Sequence, residues 1–321
     1  MIKKRINLIR KNFRNLQIDG YVIPKNDEFF SEYAAKDRLN AISNFTGSAG
    51  LAIILNKKNY LFVDGRYTIQ AQKECGKIFK IMEIHKFLPH KILKNLTLGF
   101  DPSIFTNRQI KVYFNNSFRL KPINKNLIDL IFKKKPPKAK NFFSLNDNIA
   151  GESFLKKKNK IIKILKKNKA DYLFISAPEN IAWVMNIRGS DNPNSPMPNS
   201  NLIIGKNNKI YLITQKEKAL KIIKEKKIKK NQVIDPKKFE SLIKKLQGKT
   251  FLIDPLTCSV LNESIIKSKF KIIKYHDPCY KLKSIKNSSE IKHMINAHIE
   301  DGLALTKFIY WIKNINKKKI T

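Results

Sequence analysis

Cysteine, arginine, acidic residues and long apolar runs are all scarce in this 321-residue chain. The cysteines are Cys75, Cys258 and Cys279, odd in number, far apart and without a CxxC pair. That pattern excludes a disulfide framework and a structural zinc site, and it fits a reducing compartment. No apolar run reaches the length of about 18 residues that a membrane-spanning helix needs. The N-terminal stretch MIKKRINLIRKNFRNLQ has no apolar centre of signal-peptide kind. Instead Ile2, Ile6, Ile9, Phe13 and Leu16 fall on one face of an amphipathic helix that runs straight into a strand.

Acidic residues number 25 against 65 basic ones, a formal charge of +40. Such a balance raises a nucleic-acid binder as one reading. Only eight of the basic residues are arginine, however, and the lysines are spread along the chain. Base and phosphate recognition leans on arginine forks. Lysine, asparagine and isoleucine are abundant together, as in an AT-biased coding sequence. A solvated lysine surface is the reading adopted, and nucleic acid is not an expected partner.

What is present is enough apolar material for real cores: 42% of residues are hydrophobic, with twenty Phe and ten Tyr. Length suggests two domains. The pattern alternates strands and helices, which implies an α/β layer architecture. In the first half, strands are expected at Gly20–Pro24, Leu51–Leu55, Tyr60–Val63, Phe79–Glu83 and Leu96–Phe100. Helices are expected from Phe29 to about Phe45, over Tyr67–Glu74, near Pro89–Lys94 and over Arg108–Phe118. Residues 133–140, KKKPPKAK, read as a linker. After it the order restarts, with a helix over Ser153–Lys167, a strand at Asp171–Ser176, a helix at Asn180–Ile187, and strands at Leu202–Ile204 and Lys209–Ile213. The ordered recurrence of strand, helix, Gly-Ser and hairpin is an internal repeat of two related α/β units. The copies differ after the hairpin: Asp64-Gly65-Arg66-Tyr67 in the first, Thr214-Gln215-Lys216-Glu217 in the second.

Asn287-Ser288-Ser289-Glu290 reads as a capping box opening a helix to about Asn314. Ile291, Ile295, His298, Gly302, Leu305, Ile309 and Ile312 form one stripe on it. Only a polar tail from Asn316 follows. The helix is therefore expected to begin a third domain whose remainder lies outside this chain.

Several stretches together resemble the long, three-domain aminopeptidase P (Xaa-Pro aminopeptidase) family. They are Phe45-Thr46-Gly47-Ser48-Ala49-Gly50 and Asp64-Gly65-Arg66-Tyr67 with Gln70-Ala71 in the first unit. In the second they are Ile181-Ala182-Trp183 and Asn186-Ile187-Arg188-Gly189-Ser190-Asp191. In the last helix they are Lys283-Ser284-Ile285-Lys286-Asn287 and Ala297-His298-Ile299-Glu300-Asp301-Gly302. The resemblance implies two creatinase-like α/β domains, 1–135 and 136–284, and the start of a pita-bread peptidase domain at 285–321. It implies removal of an N-terminal residue that precedes proline, from proline-containing peptides, in a cytoplasmic homodimer with no membrane association. The family's catalytic domain would hold two Mn(II) (or Zn) ions on two Asp, one His and two Glu, for two-metal hydrolysis. None of those five positions lies in this chain, so it is expected to bind no metal and to be inactive alone.

Two residues carry the implied substrate contacts. Arg66 would reach toward a peptide carbonyl or carboxylate, against the plainer reading of a surface arginine paired with Asp64. His298 would hydrogen-bond substrate, against a plain core histidine. Arg188 and Asp191 are expected to pair or to hold the 191–200 loop, Trp183 to be core, and Asp301 to be a surface or interdomain group. Gly47-Ser48-Ala49-Gly50 leads into a strand and is no phosphate cradle. His85, His90 and Glu83, and separately His276-Asp277, lack the further ligands a metal needs. The competing reading is a non-catalytic peptide-binding or assembly module.

Overall fold

The apolar runs of the central strands do not alternate with polar residues, and the structure shows why: both faces of each sheet are covered. The computed structural model describes residues 1–31, 36–115, 117–132, 140–192 and 194–315. The 133–140 linker lies outside these except for Lys140, as does the tail from Asn316.

The first unit runs α1 (Ile2–Arg10), α2 (Phe13–Leu16), β1 (Gly20–Pro24), α3 (Arg38–Ser43), β2 (Gly50–Leu55), β3 (Asn59–Val63), α4 (Thr68–Cys75), β4 (Lys80–Glu83), α5 (Pro89–Ile92), β5 (Leu96–Phe100), α6 (Asn107–Phe114), β6 (Phe118–Pro122) and α7 (Leu127–Ile131). Its sheet has the order β4-β3-β2-β1-β5-β6. Only β2 runs against its neighbours. Tyr21, Ile23, Ala52, Ile54, Leu61 and Val63 face one core, which the N-terminal helix closes with Ile2, Ile6, Ile9 and Phe13. Val22, Leu51, Ile53, Tyr60 and Phe62 face the other, with Phe100, Phe105 and Phe114. This period of two, apolar on both sides, is what a doubly covered strand requires.

The second unit repeats the plan. It runs β7 (Phe143–Ser144), α8 (Asp147–Ala150), α9 (Phe154–Lys167), β8 (Tyr172–Ile175), α10 (Pro178–Met185), β9 (Ile187–Arg188), β10 (Asn201–Gly205), β11 (Ile210–Ile213), α11 (Lys216–Lys224), β12 (Val233–Ile234), α12 (Phe239–Lys245), β13 (Thr250–Ile253), α13 (Val260–Lys267), β14 (Lys271–Lys274) and α14 (Pro278–Ser284). Its sheet order, β12-β11-β10-β8-β13-β14, matches the first position by position. β10 is the reversed strand, as β2 is in the first sheet. A long helix, α15 (Ser288–Asn314), follows.

The repeat extends further than the hairpins. Asp101-Pro102 follows β5 directly, and Asp254-Pro255 follows β13. Both carboxylates are buried. Asp101 Oδ1 accepts from Ser103 N at 2.9 Å, and Asp254 Oδ1 accepts from Leu256 N at 2.8 Å. Five residues after each Asp comes a hydroxyl N-cap. Thr106 accepts from Gln109 N at 3.1 Å, and Ser259 accepts from Asn262 N at 3.2 Å. These two caps also face each other. An antiparallel bridge joins Thr106 to Ser259, and Val260 N donates to Phe105 O at 2.8 Å. The two units therefore meet through equivalent residues.

Several element boundaries differ from expectation. The helix expected from Phe29 is only Arg38–Ser43 among the described residues. Asp27 Oδ1 accepts from Phe29 N and Ser31 N, and Phe30 has φ 57°, so that stretch is turn rather than helix. The helix expected over Arg108–Phe118 stops at Phe114, because Asn115 takes φ 47°, and Phe118 opens β6 instead. The helix expected at Asn180–Ile187 starts earlier, with Pro178 in its first turn, and stops at Met185 before a left-handed Asn186. The three cysteines are free and buried.

Candidate functional site

All strands of the first sheet except β2 point their carboxyl ends at one edge, where α/β sheets place ligands. A cleft of about 430 Å³ opens there. Its walls include Lys25 after β1, Ser48 before β2, Asp64 and Arg66 after β3, His85 after β4, and Tyr113 on α6.

Arg66 sits in a short 3-10 turn, Gly65–Tyr67, whose N-cap is Asp64. Asp64 Oδ1 accepts from the Arg66 backbone N–H at 3.0 Å and from its Nε at 2.9 Å. The second oxygen lies 3.4 Å from His85 Nε2. The Arg66 N–H, then its guanidinium, hold the Asp64 carboxyl down to about 2. Asp64 thus stays anionic and fixes the guanidinium at the cleft rim, where 75% of the arginine side chain is exposed. Tyr67 lies beneath, 5.6 Å from the guanidinium carbon, and its hydroxyl is 2.9 Å from Ser48 Oγ. A fixed fork at a cleft mouth is suited to a carboxylate or a pair of carbonyls. Sequence reasoning singled out Arg66 and its Asp64 partner but missed the Ser48–Tyr67 contact and His85 beside Asp64. The Gly-Ser motif and the DGRY motif, 16 residues apart, were the available signal.

His298 stands elsewhere. It is exposed on α15, among Ile291, Met294, Ile295 and Ile299. It does not line the cleft that Arg66 lines. Asp301 is likewise exposed. Arg188 and Asp191 do not pair with each other. Arg188 Nη1 donates to the carbonyls of Ala182 at 3.1 Å and Ile187 at 2.9 Å, while Asp191 accepts from Lys218 Nζ at 2.6 Å. Lys218 wins because α11 brings its ammonium within reach of Asp191, whereas β9 turns Arg188 toward the end of α10. Trp183 is only partly buried and packs on the second core.

No group of three or more His, Cys, Asp or Glu side chains that would hold a metal is found among the described residues. A pair of divalent ions therefore does not fit these residues. No described helix is long and apolar enough to cross a membrane.

A family model for the Creatinase/Prolidase N-terminal domain matches residues 5–124, and a second model of that description matches residues 133–290. Xaa-Pro aminopeptidase 1 of Dictyostelium discoideum is 30% identical over 97% of this chain and 53% of its own length. The Xaa-Pro aminopeptidase ApepP of Drosophila melanogaster is 30% identical over 94% of this chain and 52% of its own. This chain spans about half the length of the curated relatives it matches. Among solved structures, an X-prolyl aminopeptidase from Caenorhabditis elegans, a cytosolic enzyme with a di-nuclear active site, superposes with a TM-score of 0.83. That match has 23% identity and covers 98% of this chain and 56% of the other, a likeness of fold.

Proposed function

Since this chain belongs to the creatinase/prolidase N-terminal domain family, we propose that it forms the substrate-side part of a Xaa-Pro aminopeptidase, an enzyme that removes an N-terminal residue preceding proline. Its units are a first creatinase-like domain at 1–135, a second at 136–284, and the opening of the peptidase domain at 285–321. Arg66, held by Asp64 at the mouth of the first cleft, contacts the peptide. His298 on α15 contacts it from the peptidase side. Two manganese or zinc ions are held by residues other than those described, so no ligand is assigned to this chain and it does not hydrolyse peptide alone. The working form is a cytoplasmic homodimer.

The observation that carries this reading is the Asp64–Arg66 fork at the carboxyl edge of the sheet, in a chain matched nearly throughout by Xaa-Pro aminopeptidases. Calorimetric titration of the chain with a tripeptide having proline second tests it. Binding that weakens about tenfold on Arg66→Ala, the loss of one charge-assisted contact, is expected. Binding indifferent to Arg66 removes its assigned role. Cleavage of that peptide by the chain with added manganese overturns the division of labour.

A further inference from the structure

A second cavity, of about 460 Å³, lies between α9, the end of α10 and the base of α15. Its polar wall consists of Lys157, Trp183, Asn186, Arg188, Lys286, Glu290 and His293. Its remaining wall is apolar, with Leu145, Ile149, Ala150 and Met294.

The polar wall has more donors than acceptors. Lys157 is buried, and its Nζ donates to Trp183 O and Asn186 Oδ1 while lying 4.5 Å from the Trp183 ring centroid. Arg188 spends only Nη1 on protein carbonyls, and its Nε and Nη2 make no hydrogen bond to a described residue. Trp183 Nε1 is buried and has no partner among the described residues. A buried donor left unpaired is costly, and so is a cation without a counter-charge. Neither Lys157 nor Arg188 is ion-paired to a carboxylate among the described residues. The nearby acids are engaged by other lysines: Glu152 by Lys160, Asp147 by Lys227 and Asp191 by Lys218. Glu290 Oε2 closes the capping box by accepting from Asn287 N at 2.9 Å.

We propose that this cavity binds a carboxylate carried on an apolar body. The carboxylate accepts from Arg188 and from the Trp183 indole N–H, and the body lies against Leu145, Ile149 and Met294. Phosphate is disfavoured, because its further oxygens would face the apolar wall and Glu290. The carboxylate comes from a free organic acid or from an acidic side chain of a docked protein segment. The site is distinct from the Arg66 cleft, with which it shares no wall residue.

The chain has two tryptophans, Trp183 and Trp311. Their indole N–H resonances, assigned with a Trp311→Phe variant, report on the cavity directly. Hexanoate probes the free acid, the α-amide of N-acetylglutamic acid probes the side-chain source, and inorganic phosphate is the control. A downfield shift of the Trp183 indole proton with a Kd of about 1 mM is expected for at least one carboxylate. The tighter of the two identifies the source. Arg188→Gln should weaken it about tenfold, while Arg188→Lys keeps the charge and loses less. No shift with either carboxylate at about 10 mM overturns the proposal. A shift indifferent to both Arg188 variants, or one that phosphate reproduces equally, overturns it as well.

Discussion

Lys157 Nζ lies 2.7 Å from Asn186 Oδ1 and 2.9 Å from Trp183 O. Its side chain is almost wholly removed from water. Burial pulls its pKa from 10.5 down to about 8, against the pull of Glu290 and Glu152. Between those values the unfolded chain binds more protons than the folded one, so this group makes stability rise with pH across that window. Urea unfolding at both ends of the window should show that Lys157→Met removes this part of the slope. A variant and parent with parallel pH profiles would mean that Lys157 titrates normally. Asp171 works in the opposite sense. Burial raises its pKa, but Lys206 and the N–H groups of Lys249 and Thr250 outweigh that and hold it well below the carboxylate range. Its stabilisation is present above about pH 4 and fades as pH falls through the lowered pKa. Asp171→Ala should cost about 2 kcal/mol at neutral pH, because it strips two backbone N–H groups of their acceptor. An unchanged denaturation midpoint would contradict this. Neither residue was legible in the sequence. One lysine among 57 and one carboxylate before a strand look ordinary until partners 29 and 79 residues away are placed beside them.

Elements were more legible than contacts. The capping box at Asn287 is present as read, with Asn287 Oδ1 accepting from Glu290 N at 3.0 Å. The apolar runs at β1, β2, β3, β5, β8, β10 and β11 were found because burial on both faces leaves a continuous signal, whereas β13, with the same kind of run in TFLI, was not read. Three of the misplaced ends share one cause: Phe30, Asn115 and Asn186 take positive φ, and only the asparagines advertise this. Strand β6 was missed because its pattern, FRLKP, is half polar at a sheet edge. Asn287 does more than cap, since its Nδ2 donates to Ala150 O at 2.9 Å and ties α15 to α8. Asn287→Ala should therefore cost about 1 kcal/mol or more. Hydrogen exchange should quicken over the first turn of α15 but not over β8 or β13. Gly151 sits opposite at φ +70°, and a Cβ there would meet the Asn287 side chain. Gly151→Ala should loosen the same junction, and equal exchange in parent and variant would refute that.

At the scale of the molecule, α15 has no buried residue along its length. Ile291, Ile295, Leu305, Ile309 and Ile312 are all exposed, where the stripe in the sequence leads one to expect a covering surface. The chain should bind a hydrophobic dye and self-associate. Replacing Ile295 and Ile309 with Glu should reduce both without loss of helix by circular dichroism. A dye-silent monomer would count against that reading. The Arg66 cleft became visible only here, since its walls come from five segments between Lys25 and Tyr113. The seam between the two units has a further consequence. Thr106 and Ser259 are the same position in two copies of one plan, and they touch. A surface that meets its own duplicate is self-complementary, the defining property of a two-fold contact. A lone copy would find its mate by diffusion and would come apart on dilution. Joined in one polypeptide, the two meet at an effective concentration set by the intervening chain, and dilution no longer separates them.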